Sequence, residues 1–272
     1  MAPIEIVANR IIWSLLFLII LLACTRSIRK TLVDARSART VGFLAIAAVL
    51  LAINWGTYVY AIETDHVVEA SLGYFINPLV SVALGIVFLR ERLRSGQWLA
   101  VGVAVAAVLV LTIAYGHPPW ISLILAFSFG FYGLFKKQVG IGSAQSLTIE
   151  TAVLLPVALG ITAWLGLTGQ SAWLTQGAST WILLVLLGPV TAIPLLAFGG
   201  AATRIPLSTL GIVQYITPVL QFIVAIAIFR EPMSAGTWIG FVLVWTSLVI
   251  MTVDGLRHTR NRADDLEVIE PD

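Results

Sequence analysis

Long apolar runs separated by short charged stretches constrain this chain more than any other feature. Nine runs qualify, or nearly so, as membrane-crossing helices of about 20 residues. Their boundaries are 4–24, 41–61, 67–89, 97–115, 120–135, 147–166, 180–202, 207–229 and 235–255. The runs do not alternate with period two, which argues against membrane strands. Only 11% of the 272 residues are charged, against about 25% in soluble domains. The sequence therefore predicts an all-α polytopic membrane protein.

The distribution of positive charge predicts how these spans are oriented. If nine helices alternate, 14 of the 16 Lys and Arg residues fall on one side, including Lys136 and Lys137 after the short span 120–135. The two exceptions are Arg10 and Arg230. The opposite loops, 62–66, 116–119 and 167–179, contain no Lys or Arg. Because positive loops remain cytoplasmic, we predict a cytoplasmic C-terminus and an N-terminus outside.

The chain also repeats itself at an offset of 140 residues. Ile76, Pro78, Ile86, Arg90, Glu91, Gly96 and Trp98 align with Ile216, Pro218, Ile226, Arg230, Glu231, Gly236 and Trp238. Convergence on helix-end residues is the alternative to duplication. A unit with an odd number of helices inverts each copy, and inverted repeats are typical of secondary transporters. The repeat predicts a first half at 1–116, a second at 117–256 and a polar cytoplasmic tail at 257–272. The first half has four helices against five, so the chain looks one helix short at its N-terminus.

Two polar stripes related by this offset predict a substrate cavity at the middle of the membrane. The first is Tyr74, Asn77 and Ser81, and the second is Gln214, Thr217 and Gln221, each on one helical face. Pro78 and Pro218 interrupt the two stripes, and each frees a backbone carbonyl that needs a polar partner in lipid. The predicted substrate-binding residues are Asn54, Trp55, Tyr74, Asn77, Ser81, Gln214, Tyr215 and Thr217. The alternatives are polar contacts between helices and, for Trp55, an interface anchor.

Three charged residues are further candidates. Arg10 and Glu150 share the 140-residue offset, but inverted symmetry places them on opposite sides of the midplane, so we expect no direct salt bridge. Glu150 is a hypothetical proton-coupling or cation-contacting acid, or else it snorkels to the cytoplasmic interface. Glu69 begins the span 67–89 and is either an outer gate or an acid that stabilises its helix terminus. The pairs Arg90–Glu91 and Arg230–Glu231 are expected to close helix ends.

Catalytic and cofactor motifs are absent from the sequence. The histidines His66, His117 and His258 lie apart, Cys24 is the single cysteine, and no phosphate-binding glycine loop occurs. We therefore expect no enzyme, no cofactor and no metal. The expected partners are a small-molecule substrate and the lipid bilayer, with no nucleic acid. Gly236 and Gly240 are spaced for close helix packing or a homodimer.

Several motifs resemble those of one transporter family. They are Glu69 to Leu79 (EASLGYFINPL), then residues 97–101, 126–129, 131–134, 149–151, 202–204, 207–211 and 214–216. These motifs are similar to the signature of RarD proteins, the chloramphenicol-sensitivity branch of the EamA-type drug/metabolite transporter superfamily. The resemblance implies ten helices in two inverted five-helix halves, in the plasma (inner) membrane, with both termini cytoplasmic. We therefore expect a secondary transporter that works by alternating access, with proton coupling as a hypothesis. A non-transporting membrane sensor or assembly component is the alternative.

Overall fold

The computed structural model describes residues 3–64, 66–115, 120–171 and 178–217, with 220, 236, 238–240, 242–247, 249–250, 252–254 and 257. Their helices are α1 Pro3–Cys24, α2 Ile28–Asp34, α3 Ala38–Glu63, α4 Val67–Leu89, α5 Ser95–Tyr115, α6 Trp120–Val139, α7 Ser143–Leu167, α8 Ala178–Arg204 and α9 Leu207–Val213. Helical residues also occur between Trp238 and Asp254, and no strand is found among the described residues.

Five of these helices are long and apolar enough to cross a membrane. They contain the candidate spans Ile4–Cys24, Ala38–Glu63, Glu69–Leu89, Ser143–Leu167 and Thr180–Arg204. Shorter apolar stretches lie at Ser95–Val110 and Trp238–Asp254. Large apolar side chains on the outer faces, such as Ile20 and Leu183, are exposed as lipid contact requires. The predicted all-α membrane fold is confirmed.

The helix boundaries repeat at the offset seen in the sequence. Pro3 and Ser143 begin α1 and α7, Ala38 and Ala178 begin α3 and α8, and Val67 and Leu207 begin α4 and α9, so each pair differs by 140 residues. Equivalent helices also pack on each other, α1 against α7 and α4 against α9. The related pairs α1–α8 and α7–α3 are likewise in contact. The equivalent helix starts and reciprocal contacts indicate an internal repeat.

The contact between α4 and α9 depends on a residue without a side chain. A Cβ atom at Gly211 would lie 2.7 Å from the carbonyl oxygen of Pro78 and 2.9 Å from the Cβ atom of Ser81. Pro78 stands inside α4, which continues on both sides of it. Glycine at position 211 therefore lets α9 approach α4 at the proline, where the two halves meet.

Three boundaries predicted from the sequence are wrong. The span expected at 207–229 is interrupted, because α9 ends at Val213 and turn residues follow at Gln214 and Tyr215, so Gln214 and Thr217 do not share the face of one continuous helix. The span expected at 120–135 is α6, which continues through Lys136 and Lys137 to Val139 and is a full 20 residues long. Lys136 does not end the helix because an acidic side chain on α7 neutralises it. The charged stretch after α1 is also not a simple loop, since α2 forms within it.

Candidate functional site

An amide pair joins the two halves at the predicted cavity. The Asn77 Nδ2 atom on α4 donates a hydrogen bond of 2.8 Å to the Oε1 atom of Gln214, which caps the C-terminus of α9. Asn77 is 7% exposed and Gln214 is partly buried. The remaining polar atoms, Asn77 Oδ1 and Gln214 Nε2, are buried without a hydrogen-bond partner. The pair therefore leaves one acceptor and one donor available to a ligand.

The other members of the predicted stripes have different surroundings. Tyr74 is partly buried, with its ring 6.2 Å from that of Tyr58 in an edge-on arrangement. Ser81 is buried at the α4–α9 contact, which favours the helix-packing alternative for this residue. Tyr215 belongs to the apolar core, with its hydroxyl lacking a hydrogen-bond partner, and Thr217 is exposed. Pro218 and Gln221 lie outside the described residues.

Arg10 points into the bundle from α1. Its Nε atom donates to Thr191 Oγ1 on α8 at 3.0 Å, and its Cζ atom lies 4.7 Å from the centre of the Trp55 ring on α3. Tyr58 and Tyr74 are close enough to interact with it electrostatically. No described carboxylate lies within ion-pair distance of this guanidinium. The expectation that Arg10 and Glu150 do not pair is therefore confirmed.

Asn54 and Trp55 are neighbours in sequence but have different contacts. The Asn54 amide donates to the Leu125 carbonyl at 2.9 Å and to Ser128 Oγ at 3.1 Å, so it holds α3 against α6. Trp55 is buried in the interior and is not an interface anchor. Its ring face is occupied by the guanidinium of Arg10, which is a favourable cation–π geometry.

Glu150 is enclosed between α6 and α7. Its Oε1 atom lies 2.8 Å from Lys136 Nζ, and Tyr132 donates its hydroxyl to Oε2 at 3.2 Å. Lys136 also donates to Ser146 Oγ at 2.6 Å. The Glu150 side chain is 0% exposed. The snorkelling alternative is therefore wrong, because the carboxylate is surrounded by partners that satisfy it within the protein.

Two acids at opposite ends of α4 cap other helices. Glu69 Oε1 accepts the backbone N–H of Ile121 at 3.0 Å, in the first turn of α6. The carboxylate of Glu91 accepts the backbone N–H groups of Leu207 at 2.7 Å and Ser208 at 2.8 Å, at the start of α9. Free N–H groups and the helix dipole make such positions favourable for carboxylates. Glu69 thus caps the neighbouring helix α6 from the first turn of α4. The predicted closure of a helix end by Arg90–Glu91 is confirmed for α4, where Arg90 is the left-handed C-cap and the Glu91 N–H donates to the Gly85 carbonyl, while the Glu91 carboxylate caps the start of α9.

A groove of 580 Å³ lies outside the predicted cavity. It is lined by Gly56, Thr57, Tyr60, His66, Glu69, Trp120, Ile121 and Ile124, from α3, α4, α6 and the turn before α4. None of its lining residues belongs to the Asn77–Gln214 pair or to the group formed by Arg10, Trp55 and Thr191. Within the described residues, no group of three or more His, Cys, Asp or Glu side chains could hold a metal ion.

Comparisons with known proteins decide the family. The chain is 51% identical to "Protein RarD" of Streptomyces exfoliatus over 98% of this chain and 85% of that protein. The chain belongs to the RarD group of EamA-type transporters. The EamA-like transporter family profile matches residues 1–113. Another relative is the "Uncharacterized transporter YojE" of Bacillus subtilis (strain 168), 40% identical over 94% of this chain and 86% of that protein.

The EamA-type fold agrees with a solved structure. The chain matches this crystal structure with a TM-score of 0.67 and 17% sequence identity. The match covers 93% of this chain and 88% of the chain in the crystal structure. Together with the family, these comparisons identify a multi-pass membrane transporter of the drug/metabolite type. The resemblance in the sequence motifs is confirmed.

Several residues of the site are not evident from sequence. The sequence places Lys136 in a loop after the short span 120–135. It nevertheless lies four residues after Tyr132 and thus on the same helical face. Thr191 and Tyr58 were missed because single hydroxyl groups in apolar helices are common. Glu5 was also missed: it is fully buried and accepts a hydrogen bond of 2.8 Å from Ser171 Oγ. Its position inside an apolar run was the only available signal.

Proposed function

We propose that this EamA-type transporter moves a small organic solute by alternating access through the cavity between its two halves. The observation that carries the proposal is the Asn77–Gln214 hydrogen bond, which joins the halves and leaves a buried acceptor and donor unused. Unsatisfied polar groups are costly where no water reaches them. A polar solute, or water in its absence, would supply both missing hydrogen bonds.

The two ends of the cavity differ in a way that supports alternating access. Towards the predicted outer side, Arg10, Tyr58 and Tyr74 are all partly exposed. Towards the predicted cytoplasmic side, Glu91 connects the end of α4 to the start of α9. Lys137 adds a hydrogen bond to the carbonyl of Ile205. Such an arrangement is expected of a transporter that is closed inside and open outside.

Glu150 is the residue that we propose for coupling to protons. The Lys136–Glu150 pair joins α6 to α7 within the second half, and a change in the arrangement of these two helices during transport would break it. A carboxylate that is ion-paired in one state and unpaired in the other binds protons differently in the two states. That difference is what coupling of proton binding to a conformational change requires.

The charge distribution supports a plasma-membrane protein with a cytoplasmic C-terminus. The Lys and Arg residues concentrate in the loops on one side of the predicted spans, and such loops remain in the cytoplasm. The lipid bilayer and a small-molecule substrate are then its principal partners. A homodimer through Gly236 and Gly240 stays a prediction.

Transport by purified protein in proteoliposomes tests the proposed function. A panel of radiolabelled metabolites and drugs is offered to wild type, Asn77→Ala and the matched control Gln97→Ala. Gln97 is also 7% exposed, but its amide caps the start of α5 by accepting from the Arg94 N–H. Loss of a hydrogen bond from the site should lower uptake about tenfold in Asn77→Ala, while Gln97→Ala retains it. Undiminished uptake in Asn77→Ala would remove the amide pair from the proposed site.

A further inference from the structure

Arg10 is a cation inside a membrane-spanning helix whose charge is not neutralised by a described group. Its guanidinium makes one described hydrogen bond, from Nε to Thr191 Oγ1. The Arg10 Cζ atom lies over the Trp55 ring, 4.7 Å from its centre. Both contacts fix the orientation of the group, but neither carries a formal negative charge.

The equivalent position in the second half, Glu150, is a charged side chain with an ion-pair partner. Glu150, at the 140-residue offset from Arg10, has a cation at 2.8 Å and is completely enclosed. Arg10 is partly exposed, and its two terminal nitrogens donate to no described residue. A charge in the membrane interior is costly unless it is paired or faces a cavity. The free edge of the Arg10 guanidinium is therefore available to a partner that enters from outside the protein.

The geometry of that free edge favours an oxyanion. The two terminal nitrogens of a guanidinium form a planar fork that matches the two oxygens of a carboxylate or a phosphate. With Nε held by Thr191 and Cζ over the Trp55 ring, the fork is preorganised and loses little freedom on binding. The side chain is thus arranged as a receptor for a small anion.

The surroundings of Arg10 indicate the rest of the ligand. Trp55, Tyr58 and Tyr74 supply aromatic surface next to the guanidinium. One helical turn beyond Tyr74 on α4, Asn77 offers its free acceptor, and Gln214 offers a free donor. An aromatic or apolar body with one further polar group would contact all of these side chains.

We propose that Arg10 binds the oxyanion, carboxylate or phosphate, of a small solute with an aromatic or apolar body. This proposal rests on the proposed function, since it assigns the substrate class to the same cavity. Arg10, Trp55 and Thr191 form the outer part of the site, and the Asn77–Gln214 pair forms the part at the midplane.

Binding to wild-type protein in phosphatidylcholine nanodiscs provides the test. The probes are tritiated 3-phenylpropionate and octanoate, with their neutral amides and phenyl phosphate as unlabelled competitors. We expect saturable binding of an acid, with the matched amide competing at least about tenfold more weakly. Arg10→Gln should lower the affinity to a similar extent, and Arg10→Lys should retain part of it because lysine keeps the charge without the fork. Competition by phenyl phosphate shows whether the Arg10 guanidinium prefers a phosphate or a carboxylate.

The matched control is Arg39→Gln. Arg39 is exposed in the first turn of α3 and also lies over an aromatic ring, that of Phe43, so its substitution removes a similar contact outside the cavity and should leave binding unchanged. Equal competition by acid and amide would overturn the proposal. So would wild-type affinity in Arg10→Gln, or no saturable binding of any oxyanion to folded wild type.

Solute counterflow in proteoliposomes separates this proposal from the proposed function. Arg10-dependent binding of the acid without counterflow would retain the anion site and overturn transport. Counterflow of a neutral solute that survives Arg10→Gln would retain transport and overturn the anion site.

Discussion

Lys136 Nζ lies 2.8 Å from Glu150 Oε1, and the two side chains are 1% and 0% exposed. Arg10 occupies the position equivalent to Glu150 in the other half but has no described carboxylate partner. The halves therefore share helix boundaries and differ in charge. At equivalent positions, the second half therefore has a buried ion pair and the first half has a partly exposed arginine without a described carboxylate.

Removal of one member of the buried Lys136–Glu150 pair should lower the stability of the protein. Lys136→Met leaves Glu150 buried without its cation, and an uncompensated charge of this kind lowers the free energy of unfolding by about 3–5 kcal/mol. The double variant Lys136→Met/Glu150→Gln should recover much of the loss, because no charge is then left unpaired. The measurement is unfolding in detergent mixtures, with Lys30→Met as control, since Lys30 is exposed in α2. A double variant no more stable than Lys136→Met would contradict the pairing.

The coupling role of Glu150 has a separate test. Glu150→Gln keeps the shape of the side chain and removes its ability to titrate, so transport by this variant should lose its dependence on the pH gradient. Uptake is measured in proteoliposomes with and without an imposed gradient. An unchanged dependence on pH would exclude Glu150 as the coupling acid.

The cap that Glu91 provides should hold the start of α9 in place. Glu91→Ala removes the acceptor for the N–H groups of Leu207 and Ser208, which should cost about 0.5–2 kcal/mol, as for other helix caps. Hydrogen exchange at residues 207–208 should become faster in this variant. The control is Glu63→Ala, because Glu63 is exposed at the end of α3. Equal exchange in both variants would show that the cap contributes nothing to the closed state.

Gly211→Ala should disturb the contact between the two halves. The added methyl group would lie 2.7 Å from the carbonyl oxygen of Pro78, which is backbone and cannot rotate away. Gly160→Ala in α7 is the matched control, since nothing lies within 4 Å of its added Cβ atom. The control should be stabilised by roughly 0.5–1 kcal/mol, whereas Gly211→Ala should melt at a lower temperature. A melting temperature for Gly211→Ala at or above that of wild type would contradict the close α4–α9 contact.

The backbone of this protein was largely predictable from its sequence. Apolar runs locate the helices to within a few residues: they predict spans that start at 41 and 180, where α3 and α8 begin at Ala38 and Ala178. The stripe containing Asn77 was also recognised, because polar residues at helical spacing stand out against apolar neighbours. These features depend on local composition and on period, which a single sequence displays.

The partners of the charged residues were not predictable in the same way. Glu69 caps a helix 52 residues further on, and Glu91 caps one 116 residues further on. The sequence predicts Lys136 at the membrane interface, because a lysine near a helix end usually reaches it. Only the three-dimensional structure, which brings the side chains of Lys136 and Glu150 together, shows that they pair. Ion pairs and interhelix caps depend on tertiary contacts, which hydropathy does not record.

The most direct test of alternating access is thiol labelling at position 77 from each side of the membrane. Asn77→Cys is made in a Cys24→Ser background, which removes the natural exposed cysteine. Arg36→Cys and Thr168→Cys, both at exposed positions, serve as inner and outer controls in right-side-out and inside-out vesicles. An impermeant maleimide should label position 77 from both sides, and each control from one side only. Labelling of position 77 from a single side, or from neither, would contradict the account.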